Sequence, residues 1–152
     1  NRFDPDGVLT RAMLVTVLWR MEGAPTANSA NPFADVAAGT WYTDAVVWAN
    51  DAGIVNGTSA TTFDPDGSVT REQIATILYR YAKIKGWDIS GASSLGTFLD
   101  GAQVSDWAAR AMEWTYAEGL ITGKNGGRLD PQGQASRAEV ATILMRLLES
   151  RS

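Results

Sequence analysis

The chain repeats itself, and the repeat limits its fold more than any other feature. "AGIVNG" at residues 52–57 returns as "EGLITG" at 118–123, "TFDPDG" as "RLDPQG", and "TREQIATILYR" as "SRAEVATILMR", all at an offset of 66. "FADV" from Phe33 matches "FLDG" from Phe98 at an offset of 65, and "RFDPDGVLTR" from Arg2 matches "TFDPDGSVTR" at 60. Self-similarity at a fixed period marks an architecture of stacked supersecondary units, none of which can bury its apolar face alone. The first copy keeps only its second half: nothing before Asn1 corresponds to "FADVAAGTWYTDAVVWANDAGIVNG".

Each full unit reads as two helices joined by a turn-rich loop. The first helices are expected over about 41–52 and 107–118, with Thr40 and Asp106 as N-caps and Gly53 and Gly119 as left-handed C-terminal residues. An Asp-Pro-x-Gly turn follows, in which proline presets φ and glycine is expected to take the strained position. Gly57 and Gly123 are likewise expected to need positive φ. The second helices begin at Thr10, Thr70 and Ser136, all good N-caps, and Gln73 and Glu139 complete capping boxes that Met13 cannot.

Their apolar positions are Leu14, Val17, Leu18 and Met21; Ile74, Ile77, Leu78 and Tyr81; Val140, Ile143, Leu144 and Leu147. This is one helical stripe written three times. The spacing predicts an all-α fold of tandem helix-loop-helix repeats around a central three-helix bundle. The expected repeats are 1–24 (a second half only), 32–88 and 95–150, together one domain, joined by the Gly/Ser/Ala/Pro-rich segments 22–32 and 86–96.

Composition narrows the function. The 152 residues carry a net charge of −4 without a basic run, which argues against nucleic acid. There is no cysteine and no histidine, so thiolate chemistry, cysteine metal sites and the commonest proton-transfer residue are absent. Without a run of 18 apolar residues, no membrane-inserted segment is expected, and the opening in mid-motif suggests a fragment of something longer, with any targeting signal out of view. "DPDG" invites a calcium reading, but an EF-hand register places Thr62 at position one and Gln73 at position twelve, leaving too few oxygen ligands. No carboxylate pair suited to glycan hydrolysis stands out. The expectation is therefore a protein that is not an enzyme and uses no cofactor or metal.

"FADV", "WYTDAVVWA", "GIVNG", "FDPDG" and "TREQ", with their third-copy counterparts "FLDG", "WAARAMEW", "GLITG", "LDPQG" and "SRAE", closely resemble the S-layer homology (SLH) module. The resemblance covers nearly the whole chain. It implies three repeats about a pseudo-threefold axis, with inter-repeat grooves that bind anionic, often pyruvylated, secondary cell-wall polysaccharide and anchor proteins to the bacterial envelope. It also implies an extracellular location in the cell wall or S-layer. By the same resemblance the arginines of the Thr-Arg-Ala-Glu element, which map onto Arg11, Arg71 and Arg137, contact the acidic sugar. The groove aspartates map onto Asp35 and Asp100. The alternative reading is a protein-protein or self-assembly module of a surface-layer protein, since the incomplete first repeat could leave an apolar face for another chain to cover and allow self-association.

An arginine in the first turn of a helix faces the positive end of the dipole, which ordinarily disfavours a cation. It makes sense if the guanidinium joins the free N–H groups there in gripping an anion. The competing reading pairs each arginine with a nearby carboxylate, and Asp35 and Asp100 can equally be loop-capping residues. Trp41 and Trp107 are candidates to stack on a sugar ring, or else core anchors; Trp48 and Trp114 read as structural. Arg20, Arg80 and Arg146 read as last-turn residues that complement the dipole.

Overall fold

A computed structural model describes residues 7–27, 29–123 and 127–150. The described residues are helical, with five α-helices, two 3₁₀ turns and no strand: α1 (Arg11–Met21), α2 (Thr43–Asp51), α3 (Arg71–Ile84), α4 (Ala109–Ala117) and α5 (Arg137–Ser150). The 3₁₀ turns, Gly101–Gln103 and Asp106–Ala108, precede α4. The all-α expectation holds. The chain divides into two compact units, one spanning Leu9–Ser68 and the other combining residues 7–8 with 69–150.

Both units follow one plan. The second helix of one copy packs against the first helix of the next copy: α1 on α2 in the first unit, α3 on α4 in the second. α1 buries Ala12, Leu14, Val15, Thr16 and Leu18, and α3 buries Ile74, Ala75, Ile77, Leu78, Tyr81 and Ala82. The expected stripe is buried in α3 and α5 but not throughout α1, where Val17 is exposed and Met21 half-buried. Trp114 is fully buried on α4, with Tyr79 of α3 edge-on to it at 5.8 Å between ring centroids.

The second helices start as their sequences predict. The Thr10 hydroxyl accepts from Met13 N–H, Thr70 and Gln73 close a full capping box, and Ser136 and Glu139 close another. The first helices start later than expected. Thr40 is not an N-cap: α2 begins at Thr43, whose hydroxyl bonds Thr40 and the Ala37 carbonyl. Asp106 opens a 3₁₀ turn, and neither α2 nor α4 has a side-chain cap.

The Asp-Pro-x-Gly loop also differs from expectation. Its left-handed residue is the aspartate, Asp64 at φ 61° and Asp130 at φ 53°, a conformation that Asp tolerates better than most residues. Gly67 and Gly133 are required for space, because a Cβ there would collide with the carboxylate of Asp64 or Asp130. The corresponding first-copy aspartate lies outside the described residues. Gly53 and Gly119 do take positive φ, at 78° and 73°. Gly57 and Gly123 do not; they leave room for the rings of Phe33 and Phe98, whose edges lie 2.5 and 2.6 Å from where a Cβ would stand.

Candidate functional site

Arg11 and Arg71 are both buried, 9% and 7% exposed, and each is held by the loop of the following copy. Arg11 Nε donates to the Phe63 carbonyl (2.8 Å) and Nη2 to that of Asn56 (2.8 Å), with the guanidinium 4.7 Å above the Phe63 ring. Arg71 Nε donates to the Leu129 carbonyl (3.0 Å), and its Nη1 pairs with Glu139 of α5. Burial pulls both guanidinium pKa values down. Asp64 and Asp35 oppose that shift at Arg11, and Asp130 opposes it at Arg71.

The N–H groups at these helix starts are already bonded. Arg11 and Ala12 N–H donate to the carbonyls of Gly67 and Pro65, at 2.9 and 3.0 Å. Arg71 and Glu72 N–H donate to Gly133 and Pro131, at 3.0 and 2.9 Å. This overturns the expectation that free backbone donors at the helix end take part in gripping an anion. Loop carbonyls, with their partial negative charge, answer the dipole instead, and the arginine extends that lock.

Asp35 and Asp100 secure the same loops from the other side. Asp35 Oδ1 and Oδ2 accept from Phe63 and Asp64 N–H, both at 2.8 Å. Asp100 accepts from Leu129 and Asp130 N–H at 2.7 and 2.9 Å. Burial would raise both carboxyl pKa values, but these backbone N–H bonds outweigh it and leave both below the usual aspartate value. The loop-capping reading therefore describes what both carboxylates do here.

Beside Arg71 in the second unit lies a crevice of about 190 Å³. The "GLITG" turn forms one wall with Leu120, Ile121, Thr122 and Gly123, and α5 forms the other with Glu139, Thr142, Ile143 and Arg146. Two guanidinium groups and one carboxylate leave it one positive charge in excess. Glu139 has two roles, since its Oε1 closes the capping box of α5 while Oε2 pairs with Arg71. The sequence reading missed Arg146 as a site residue. It stands mid-helix, exposed, with Nη1 3.4 Å from the Leu120 carbonyl. Arg80 is also short of its helix's last turn, where Lys83 stands; Arg20 alone of the three lies where the dipole argument put it. The recurrence of Arg146 with Arg20 and Arg80 at the same place in each copy was the available signal.

The remaining predicted residues lie elsewhere. Asp100, Trp107 and Arg137 do not line the crevice. Trp41 and Trp107 are 57% and 60% exposed, so neither is a core anchor, and Trp41 stands edge-on to Tyr42 at 4.9 Å. Arg137 N–H donates to the Gly7 carbonyl at 3.1 Å, matching the Arg11–Gly67 and Arg71–Gly133 bonds. Among the described residues no group of His, Cys, Asp and Glu could hold a metal ion, and no helix is long and apolar enough to cross a membrane.

Helix starts locked into the loops of the next copy, twice over, define a tandem helix-loop-helix repeat module. The S-layer homology domain matches residues 32–75 and 97–141, more than half the chain, and the chain belongs to that family. It is 30% identical over 150 residues to an amylopullulanase of Thermoanaerobacterium thermosulfurigenes, covering 98% of this chain and 8% of that protein. It is 30% identical over 153 residues to the surface-layer 125 kDa protein of Lysinibacillus sphaericus, covering 99% and 12%. A cellulosome-anchoring protein of Acetivibrio thermocellus is 28% identical over 151 residues, covering 97% and 33%. The chain thus spans a third or less of each of these relatives.

Proposed function

We propose that this chain is a noncatalytic anchoring module of the bacterial cell envelope that holds an anionic, pyruvylated wall polysaccharide. The observation that carries the reading is the crevice beside Arg71, where Arg146 adds a second and accessible guanidinium opposite the "GLITG" turn. Guanidinium groups suit a ketal carboxylate because their planar donors match its two oxygens. Thr122 and Thr142 offer hydroxyls to the sugar. The crevice is small beside the roughly 300 Å³ at which drug-sized pockets begin, which suits one charged sugar better than a long stretch of chain. Buried Arg71 shapes the wall and contributes charge, while Arg146 makes the direct contact. Arg11 supports a similar role in the first unit, with Asp35 fixing its loop and exposed Trp41 available to stack on a pyranose.

The relatives support the wider part of this reading, because a surface-layer protein and a cellulosome-anchoring protein both contain a matching segment. The test is cosedimentation with wall sacculi before and after their acidic polymer is stripped. Retention should depend on the polymer and fall at least tenfold for Arg146→Gln, a change at an exposed side chain that leaves the fold intact by circular dichroism. Equal retention by stripped and intact walls would count against the reading.

A further inference from the structure

Asn56 is followed by Gly57, and asparagine is a thermolabile residue because its carboxamide carbon is open to attack by the next backbone nitrogen. Glycine in second place leaves that nitrogen unshielded. Here the glycine is obligatory, since a Cβ would stand 2.5 Å from the Phe33 ring edge and from the carbonyl oxygens of Ser59 and Thr62. The residue before it therefore decides whether the turn can react: asparagine at 56, but threonine at the equivalent position 122.

The described asparagines differ in what holds them. Asn31 Nδ2 donates to the Val36 carbonyl at 2.7 Å and its Oδ1 accepts from Phe33 N–H at 2.9 Å, while Pro32 after it has no N–H to lose. Asn50 lies within α2, where the N–H of the following residue belongs to the helix ladder. Asn56 is exposed, and neither its carboxamide nor the Gly57 N–H is hydrogen-bonded within the described residues. Its one bond is at the main-chain carbonyl, which accepts from Arg11 Nη2 at 2.8 Å.

That carbonyl belongs to the peptide joining Asn56 to Gly57, so the guanidinium acts on the reacting amide itself. A charged donor on the oxygen favours the anionic form of the amide, which lowers the cost of removing the Gly57 proton. The same donor polarises this carbonyl for the later attack of water and stabilises the oxyanion that forms there.

We propose that Asn56 is a self-modification site, converted to isoaspartate with Arg11 as the activating residue. The Gly57 nitrogen loses its proton and bonds to Cγ of Asn56. The Cγ–Nδ2 bond breaks and Nδ2 leaves with a proton as ammonia, which closes a five-membered succinimide. Water then adds its hydroxyl to the former main-chain carbonyl carbon, the bond from that carbon to the Gly57 nitrogen breaks, and the nitrogen takes the second proton. The chain now runs through Cβ and Cγ, and the oxygen that Arg11 bonded is part of a free α-carboxylate. Water is the one co-reactant. The product pairs Arg11 with an internal anion and so withdraws its charge from an acidic sugar at the first unit, a consequence that rests on the role proposed above for Arg11.

The test puts a second asparagine in the same turn of the other unit. Thr122→Asn creates the same dipeptide before Gly123 at an exposed position, but there Arg71 bonds the Leu129 carbonyl and Glu139, not the carbonyl of residue 122. The folded full chain is incubated in mildly alkaline buffer, and isoaspartate is located by peptide mapping with mass spectrometry. Mapping also separates both sites from Asn125-Gly126, which lies outside the described residues. Conversion at Asn56 should be about tenfold faster than at position 122, a modest part of what one donor to a developing oxyanion is worth in an enzyme site. In urea, where the turn no longer holds Arg11, the two positions should react alike. Arg11→Gln should bring Asn56 down to the rate at 122, and if that variant does not fold the comparison within the Thr122→Asn chain decides. Equal rates at the two positions in the folded chain, a slower rate at Asn56, or no isoaspartate there would each overturn the proposal. No polymer enters the measurement, so the modification and wall binding can fail separately.

Discussion

Asp100 and Arg71 hold Leu129 from opposite ends: the carboxylate accepts its N–H and the guanidinium donates to its carbonyl. Asp35 and Arg11 hold Phe63 in the same way. Both are charge-assisted bonds, stronger than neutral ones, and together they fix the loop that receives the next helix start. Two motifs far apart in sequence are therefore parts of one lock.

Asp100→Ala should lower stability by about 2–4 kcal/mol, because it leaves two loop N–H groups without their charged acceptor. Urea denaturation with an unchanged slope measures this. Asp35→Ala should cost less, because its carboxylate is exposed and screened.

Acid should unfold the protein through these same groups. Both aspartates have folded-state pKa values below the unfolded one, so the native state binds fewer protons than the unfolded chain. Their contribution is complete above the unfolded value of about 3.9 and declines as pH falls through the lower folded values. Stability measured from pH 7 to 2 should show this decline, and Asp100→Asn should flatten it.

Glu139→Gln removes the partner of Arg71 while retaining a capping-box acceptor, since glutamine already fills that role at residue 73. The expected cost is about 1–3 kcal/mol, less than the 3–5 kcal/mol for breaking a fully buried pair, because the Glu139 side chain keeps 33% exposure. The crevice also gains positive charge. Affinity for the acidic wall polymer should therefore rise while thermal stability falls, and a loss of affinity alongside the loss of stability would refute the assigned role.

Gly67→Ala should destabilise the first unit by about 1–3 kcal/mol through overpacking against the Asp64 carboxylate. Asp64→Gly in the same chain should relieve the clash and recover much of the loss, which thermal melts of the single and double variants will show.

The helices were legible because their signals are local. Thr10, Thr70 and Ser136 cap the helices they precede, Gln73 and Glu139 close the capping boxes, and the stripe of Ile74, Ile77, Leu78 and Tyr81 is buried as its period predicts. The starts of α2 and α4 were less legible, because neither has a side-chain cap and turn geometry around Thr43 and Asp106 sets them. In the site, the motif pattern selected Arg71 and Asp100 but not what they touch. It passed over Arg146, because a cation near a helix end already has a sufficient local explanation in the dipole.

By itself, the sequence determined the number of copies, the helical period, the caps and the residue types available for holding an anion, since each depends on neighbours a few positions away. Only the tertiary structure decided which loop receives which helix start, that the first-turn N–H groups meet carbonyls, and that Glu139 stands against Arg71. Those are contacts between different copies of one motif, and nearly identical copies do not state in their sequences which of them will meet.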